Sequence, residues 1–315
     1  MSKTNIKWLI AHKPEHLFIR TAKAFAEILE NIAPQFHIEI LTTDRYKELY
    51  DKDFTEKKIL GLLRENKIQM SQTEVWEVGE MSKDKNFYVF DVPFLFRNHD
   101  HAQKVLEGPI GQSINKRLGQ KTGIRGLAYT YSGGYRTVGS DVSIANLSEL
   151  VDKKIRISGN PVTQQFWKKL GVDIYRGSLG TWADPNDPSS DLTLPEGVHG
   201  KDTTYIRYTN AKHFLKSEHS LFLTDILVNE KFFQSLSETE QALFMEAAQK
   251  AARLERQWSK EDAEKFEATA KARGCDIVSL TSEDRSEMER AGDEVKQDWK
   301  EKFLPGLLDK ISNTH

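Results

Sequence analysis

Arg136 and Arg156 are the residues whose type and setting most suggest binding chemistry. Arg136 follows Gly133-Gly134-Tyr135, and Arg156 sits within Lys154-Ile155-Arg156-Ile157-Ser158, each inside a run that otherwise belongs in a strand. A guanidinium presents a planar fork of donors that fits a carboxylate with two parallel hydrogen bonds, which the point charge of a lysine does not do. Two forks in one cleft make an anion site. Two on exposed strand positions pair with nearby acids such as Asp141 or Asp152 and do nothing more. Ile155 and Ile157 flank Arg156, so strand alternation puts the guanidinium on the face opposite two apolar side chains, which suits either reading.

Other chemistry is poorly represented. There is no GxSxG, no GxGxxG after a strand, no GxxxxGK[ST] and no HExxH, which removes the commonest signatures of nucleophilic, dinucleotide, nucleotide and zinc chemistry. No cofactor and no metal are expected. His99-Asp100-His101 follows Asn98 at a helix start, where Asn and Asp cap backbone N–H groups. The run Asp184-Pro185-Asn186-Asp187-Pro188 lacks the glycine and distal glutamate of a calcium loop and reads as part of a surface excursion over 180–200. The single Cys275 excludes an intrachain disulfide.

The elements that must hold the arginines alternate. Residues 6–12 form a strand; a helix follows from Pro14 with Phe18, Ala22, Phe25 and Leu29 on one face. Strands are expected at 37–42 and 67–70 around a helix at 55–65, a helical region at 98–123, and a strand at 124–131 that ends at Gly133-Gly134, the candidate hinge. Then come a strand at 154–158, a helix at 161–170 stopped by Gly171, and strands at 172–176, 203–209 and 220–228. Ser237 and Glu240 make a capping box for a helix over about 237–273, with Leu243, Phe244, Ala247, Ala251, Leu254 and Trp258 on its apolar face. A strand at 275–280 and a helical segment over 282–315 close the chain. This alternation predicts α/β architecture with ligands at the carboxyl ends of the strands.

The chain has 315 residues, more than one core usually serves, so two lobes are expected. Lobe I covers 1–132 and is completed by about 222–258; lobe II covers 133–221 and is completed near 259–280. A formal net charge of -2 gives no basic footprint for nucleic acid. No apolar run is long enough to insert in a membrane, and the N-terminus lacks the pattern of a secretory signal.

Several stretches resemble a known family. Asp91-Val92-Pro93-Phe94-Leu95-Phe96-Arg97, Val105-Leu106-Glu107-Gly108-Pro109, Gly134-Tyr135-Arg136, and Lys154-Ile155-Arg156-Ile157 followed by Lys168-Lys169-Leu170-Gly171 are similar to the DctP-type solute-binding proteins of tripartite ATP-independent periplasmic (TRAP) transporters. The resemblance covers nearly the whole chain. It implies a two-lobed periplasmic binding protein of type II-like build, with a hinge cleft and a long helix spanning both lobes. It further implies a periplasmic location with the signal removed, a small organic acid as ligand and the TRAP permease subunits as partners. Arg156 is then the main salt bridge to the ligand carboxylate and Arg136 its second donor. Where the family usually reads VDGxEN, this chain has Val198-His199-Gly200-Lys201-Asp202-Thr203, so Thr203 stands for the pocket asparagine, beside Asp202. Trp182 replaces the aromatic wall, and His12 and the segment Gln72-Thr73-Glu74-Val75-Trp76, with Glu74 as its candidate contact, stand where lobe I walls are expected. A carboxylate-binding sensor component would share this pocket, and an enzyme acting on an organic acid would need a base such as His12, Glu74 or Asp202.

Overall fold

The computed structural model describes residues 3–10, 15–50, 58–177, 194–204 and 211–315. The chain opens with β1 (Thr4–Ile10), α1 (Glu15–Ile32), β2 (Phe36–Thr42), α2 (Thr43–Leu49), α3 (Ile59–Arg64), β3 (Met70–Glu74) and α4 (Val75–Glu80). A 3-10 helix at Lys85–Asp91 leads to α5 (His99–Glu107), α6 (Pro109–Thr122) and β4 (Ile124–Tyr135). Next come β5 (Thr137–Ser140), β6 (Lys154–Arg156), α7 (Pro161–Lys169), β7 (Asp173–Tyr175), β8 (Gly200–Thr203) and β9 (His213–Lys216). The chain ends with β10 (Leu221–Asn229), α8 (Glu230–Ser235), α9 (Glu238–Ala272), β11 (Asp276–Ser279), α10 (Ser282–Lys300) and α11 (Leu307–Ser312).

Two sheets result, one per lobe: β2-β1-β3-β10-β4 and β11-β9-β5-β8-β6-β7. In the first, β1 is parallel to β2 and β3, while β10 runs antiparallel between β3 and β4. The chain passes to the second sheet between Tyr135 and Thr137, so Arg136 stands at the crossing. β4 therefore runs through Gly133 and Gly134 instead of stopping at Tyr131, and it does so because both glycines take positive φ, 95° and 85°, which bends the strand without ending it.

Apolar spacing built the first lobe. Phe18, Ala22, Phe25 and Leu29 of α1 are all buried against Trp8, Phe36 and the α9 residues Phe244, Ala247 and Ala251. Burying each large side chain contributes roughly 1.5–3 kcal/mol. The α9 capping box is present, and its 35 residues reach roughly 50 Å at 1.5 Å per residue. Its far end packs Ala270 with Ala211 and Phe214 of the second lobe, and Lys216 meets Glu267 at 3.1 Å.

The α9 face differs from the expected one past its midpoint. Leu254 is exposed and Trp258 half-buried, while Glu255, Arg256 and Ser259 point inward. The cause is β4, an edge strand whose backbone groups need partners. Glu255 Oε2 accepts from the Tyr131 N–H at 2.8 Å, Ser259 Oγ accepts from the Gly133 N–H at 2.7 Å, and Arg256 Nη1 donates to the Tyr129 carbonyl at 2.6 Å.

Other boundaries shift for local reasons. The third strand is Met70–Glu74, not 67–70, because its polar residues find partners inside: Gln72 Nε2 donates to Thr130 Oγ1 at 2.8 Å, and that hydroxyl meets Thr224 Oγ1 at 2.7 Å. The helical region 98–123 divides at Gly108-Pro109, where Gly108 is extended and Pro109 opens α6. β8 starts at Gly200, earlier than the expected 203, and β9 was not foreseen. The expected strand ends at 11–12 and 205–209 and most of the 180–200 excursion lie outside the described residues.

Candidate ligand-binding site

β6 is three residues long, and its final residue is Arg156. In the parallel pairing of β6 with β8, Arg156 lies beside Lys201, and on its other side it pairs with Tyr175 of β7. The chain then turns through Ser158-Gly159 to Asn160, whose Oδ1 caps α7 by accepting from the Val162 N–H at 2.9 Å. Arg156 is only partly exposed, and its Nε has no hydrogen-bond partner among the described residues. Burial is the main influence lowering its pKa and Arg136 adds to it, while Glu74, Asp202 and Glu77 oppose both.

Arg136 is 4% exposed. Its backbone is fixed from both sides, with its N–H donating to Ser220 O and its carbonyl accepting from the Glu218 N–H, each at 2.9 Å. Its guanidinium lies over the Phe222 ring, 4.2 Å from the centroid, and Nη1 is 3.7 Å from Asp202 Oδ1. Its carboxylate neighbour is thus Asp202, not Asp141 or Asp152. Asp202 also accepts from Trp167 Nε1 at 3.2 Å and lies 3.6 Å from His219 Nε2. Burial alone would raise the Asp202 carboxyl; Arg136, His219 and Trp167 together hold it below the usual carboxylate range. Asp202 is therefore an internal counter-ion. Thr203, one residue on, is buried opposite Thr137 of β5.

The first lobe supplies acids to the same cluster. Glu74 ends β3, is 8% exposed, and accepts a hydrogen bond from Trp76 Nε1. The Trp76 ring reaches the second lobe: a Cβ placed on Gly159 would sit 2.7 Å from Trp76 Cη2. Asp91, at the end of the 3-10 helix, is pushed up to about 7, first by burial and further by Glu74, with Arg136 and Asn160 pulling the other way. Lys201 is 6% exposed, and burial followed by Arg156 and Arg136 pushes its amine down to about 7 against Asp202 and Glu74. The cluster thus joins Arg136, Arg156 and Lys201 to Glu74, Asp91 and Asp202, with residues from both sheets at one place between them.

Among the sequence-derived candidates, Arg136, Arg156, Glu74 and Asp202 come together here. His12 and Trp182 lie outside the described residues. Lys201 and Asp91 were missed, whereas Trp76 belongs to the segment expected to wall the pocket from lobe I. Lys201 occupies the variable position of the VDGxEN-like stretch, and strand alternation from Thr203 would have put it on the same face. The His99-Asp100-His101 run serves structure: Asn98 Oδ1 accepts from the His101 N–H at 2.8 Å, His101 Nε2 meets the Ile311 carbonyl at 2.9 Å, and His99 packs against Tyr131 and Tyr135. No group of three His, Cys, Asp or Glu side chains arranged for a metal occurs among the described residues.

This is the architecture of a two-lobed α/β binding protein with charged groups gathered at its cleft. The chain belongs to the DctP family, described as bacterial extracellular solute-binding protein, family 7, whose model matches residues 19–181 and 204–302. A solute-binding protein of Verminephrobacter eiseniae is 29% identical over 231 residues, which cover 71% of this chain and 65% of that protein, a little under two thirds of its length. A TRAP periplasmic solute-binding protein of Desulfovibrio desulfuricans, solved with sn-glycerol-3-phosphate, superimposes with a TM-score of 0.80 at 20% identity, covering 99% of this chain and 97% of the other. One from Haemophilus influenzae, solved with L-gulonate, gives 0.80 at 18% identity over 99% and 100% of the two chains. At these identities the structural likeness speaks to the fold.

Proposed function

We infer that this chain is the extracytoplasmic substrate-binding subunit of a TRAP transporter, and that it captures a small organic acid and delivers it to the membrane permease. Lobe I, 1–132 with its return at about 222–258, closes on lobe II, 133–221 with its return near 259–280. The hinge is the β4 segment at Gly133 and Gly134, whose positive φ angles give the backbone its freedom to turn. Arg156 receives the carboxylate, and Arg136, held by Asp202, supports it from behind.

The observation that carries the reading is Arg156 itself: a guanidinium with a buried, unpartnered Nε at a strand end, flanked by two further cationic side chains. A buried donor without a partner costs about 1–3 kcal/mol, which a bound carboxylate recovers. Micromolar affinity requires about 8 kcal/mol net, within reach of one forked ion pair, several hydrogen bonds and an apolar wall such as Trp76. Among the described residues no helix is long and apolar enough to cross a membrane.

A thermal-shift screen across mono- and dicarboxylates, L-gulonate and sn-glycerol-3-phosphate tests this, since a ligand that binds only the folded protein raises Tm. At least one acid should raise Tm and be recovered unchanged by mass spectrometry. An acid converted to product would replace the binding reading with an enzymatic one, and no shift with any acid would remove the carboxylate reading.

A further inference from the structure

Lys201 lies between two better-understood neighbours. Asp202, next in sequence, is the counter-ion of Arg136, and Arg156 is the in-register partner of Lys201 across the parallel β6 and β8 pair. Residues in register on adjacent strands share a face about 4.8 Å apart, so the lysine stem and the guanidinium run side by side. Lysine is seldom this buried, at 6% exposed, unless it is paired.

We propose that Lys201 is a specificity-determining contact completing the Arg156 anion site, and that the ligand's anionic group and a proton on the Lys201 amine bind together. This rests on the carboxylate-binding reading above. The proton comes from solvent and no covalent bond forms. The charged groups that act on the amine are Arg156 on β6, Arg136 at the crossing, Asp202 on its own strand and Glu74 at the end of β3. The arginines repel its charge and the acids favour it.

The sign follows from this set. In the free protein the amine, pushed down to about 7, is largely neutral at alkaline pH. An anion beside it raises its proton affinity, so binding takes up a fraction of a proton, and Kd rises with pH by up to about tenfold per unit. Toward acid pH the amine already carries its proton and the linkage fades. Asp91, also at about 7, gains proton affinity from a nearby anion in the same direction, so its part must be separated by mutation.

The test is isothermal titration with whichever of L-gulonate, succinate and sn-glycerol-3-phosphate gives the largest thermal shift, at about pH 6.5 and about pH 8.5 in buffers of different ionisation enthalpy. Wild type should take up protons at the higher pH and bind about fivefold or more weakly there. Lys201→Met should lose about tenfold or more at the lower pH. Lys201→Arg, permanently charged, should bind at both pH values without the lysine's share of uptake, whereas Asp91→Asn should keep that share. Lys201→Met binding like wild type at the lower pH, or a pH slope that survives undiminished in Lys201→Arg, overturns the proposal. If Arg156→Ala also binds like wild type, the parent reading falls with it; if Arg156→Ala fails to bind, only the role of Lys201 is lost.

Discussion

Arg136 and Asp202 form the ionic centre of the second sheet, with Nη1 3.7 Å from Oδ1 and both side chains sealed from solvent. The pair explains how a guanidinium is tolerated at the crossing between the lobes. Asp202→Asn should cost about 3–5 kcal/mol, since it leaves a buried charge uncompensated. The folded carboxyl lies below its unfolded value, so its stabilisation is present above about pH 3.9 and lost as pH falls through the folded value. Urea denaturation across acid pH checks this: the variant should show a shallower acid loss than wild type.

Glu255 predicts the opposite sign. Burial pushes its carboxyl up to about 8, against the opposing Tyr131 N–H and Arg256. A raised folded pKa means that its contribution is full below the unfolded value, about 4.3, and is lost as pH rises toward 8. Glu255→Gln removes the ionisation and leaves an acceptor for Tyr131. Denaturant midpoints should show the variant gaining on wild type between pH 5 and pH 8, by roughly 2–4 kcal/mol; a gap independent of pH would contradict the assignment.

Gly159 leaves room for Trp76. A methyl there meets the Trp76 ring at 2.7 Å from Cη2, and the ring belongs to the other lobe. Gly159→Ala should therefore weaken the joined arrangement of the lobes and raise Kd for the ligand by about tenfold, or 1.4 kcal/mol. The unliganded Tm should change little. Calorimetric titration paired with a melting curve separates the two effects, and a large Tm loss with unchanged Kd would show that Gly159 matters only to the fold of lobe II.

How much of this was readable in the sequence depended on whether apolar spacing carried the information. The α1 face and the α9 capping box were legible because apolar period and cap chemistry are local. β3 was not, since Ser71, Gln72, Thr73 and Glu74 are all buried and hydrogen-bonded or charge-paired, so no alternation marks the strand. The inward turn of Glu255, Arg256 and Ser259 is set by the edge of β4, a long-range fact. Arg136 and Arg156 stood out by residue type, but their neighbours Lys201 and Asp91 did not, because strand register joins Lys201 to Arg156 and only the fold brings Asp91 near Arg136.

The central claim is that Arg156 anchors the ligand's carboxylate, and isothermal titration of Arg156→Ala with the acid that most stabilises the wild type tests it most directly. Truncating one partner of a buried, hydrogen-bonded charge pair costs about 2–5 kcal/mol, so Kd should rise by roughly thirtyfold or more while the unliganded variant melts near the wild-type temperature. A folded Arg156→Ala with an unchanged Kd would contradict the account.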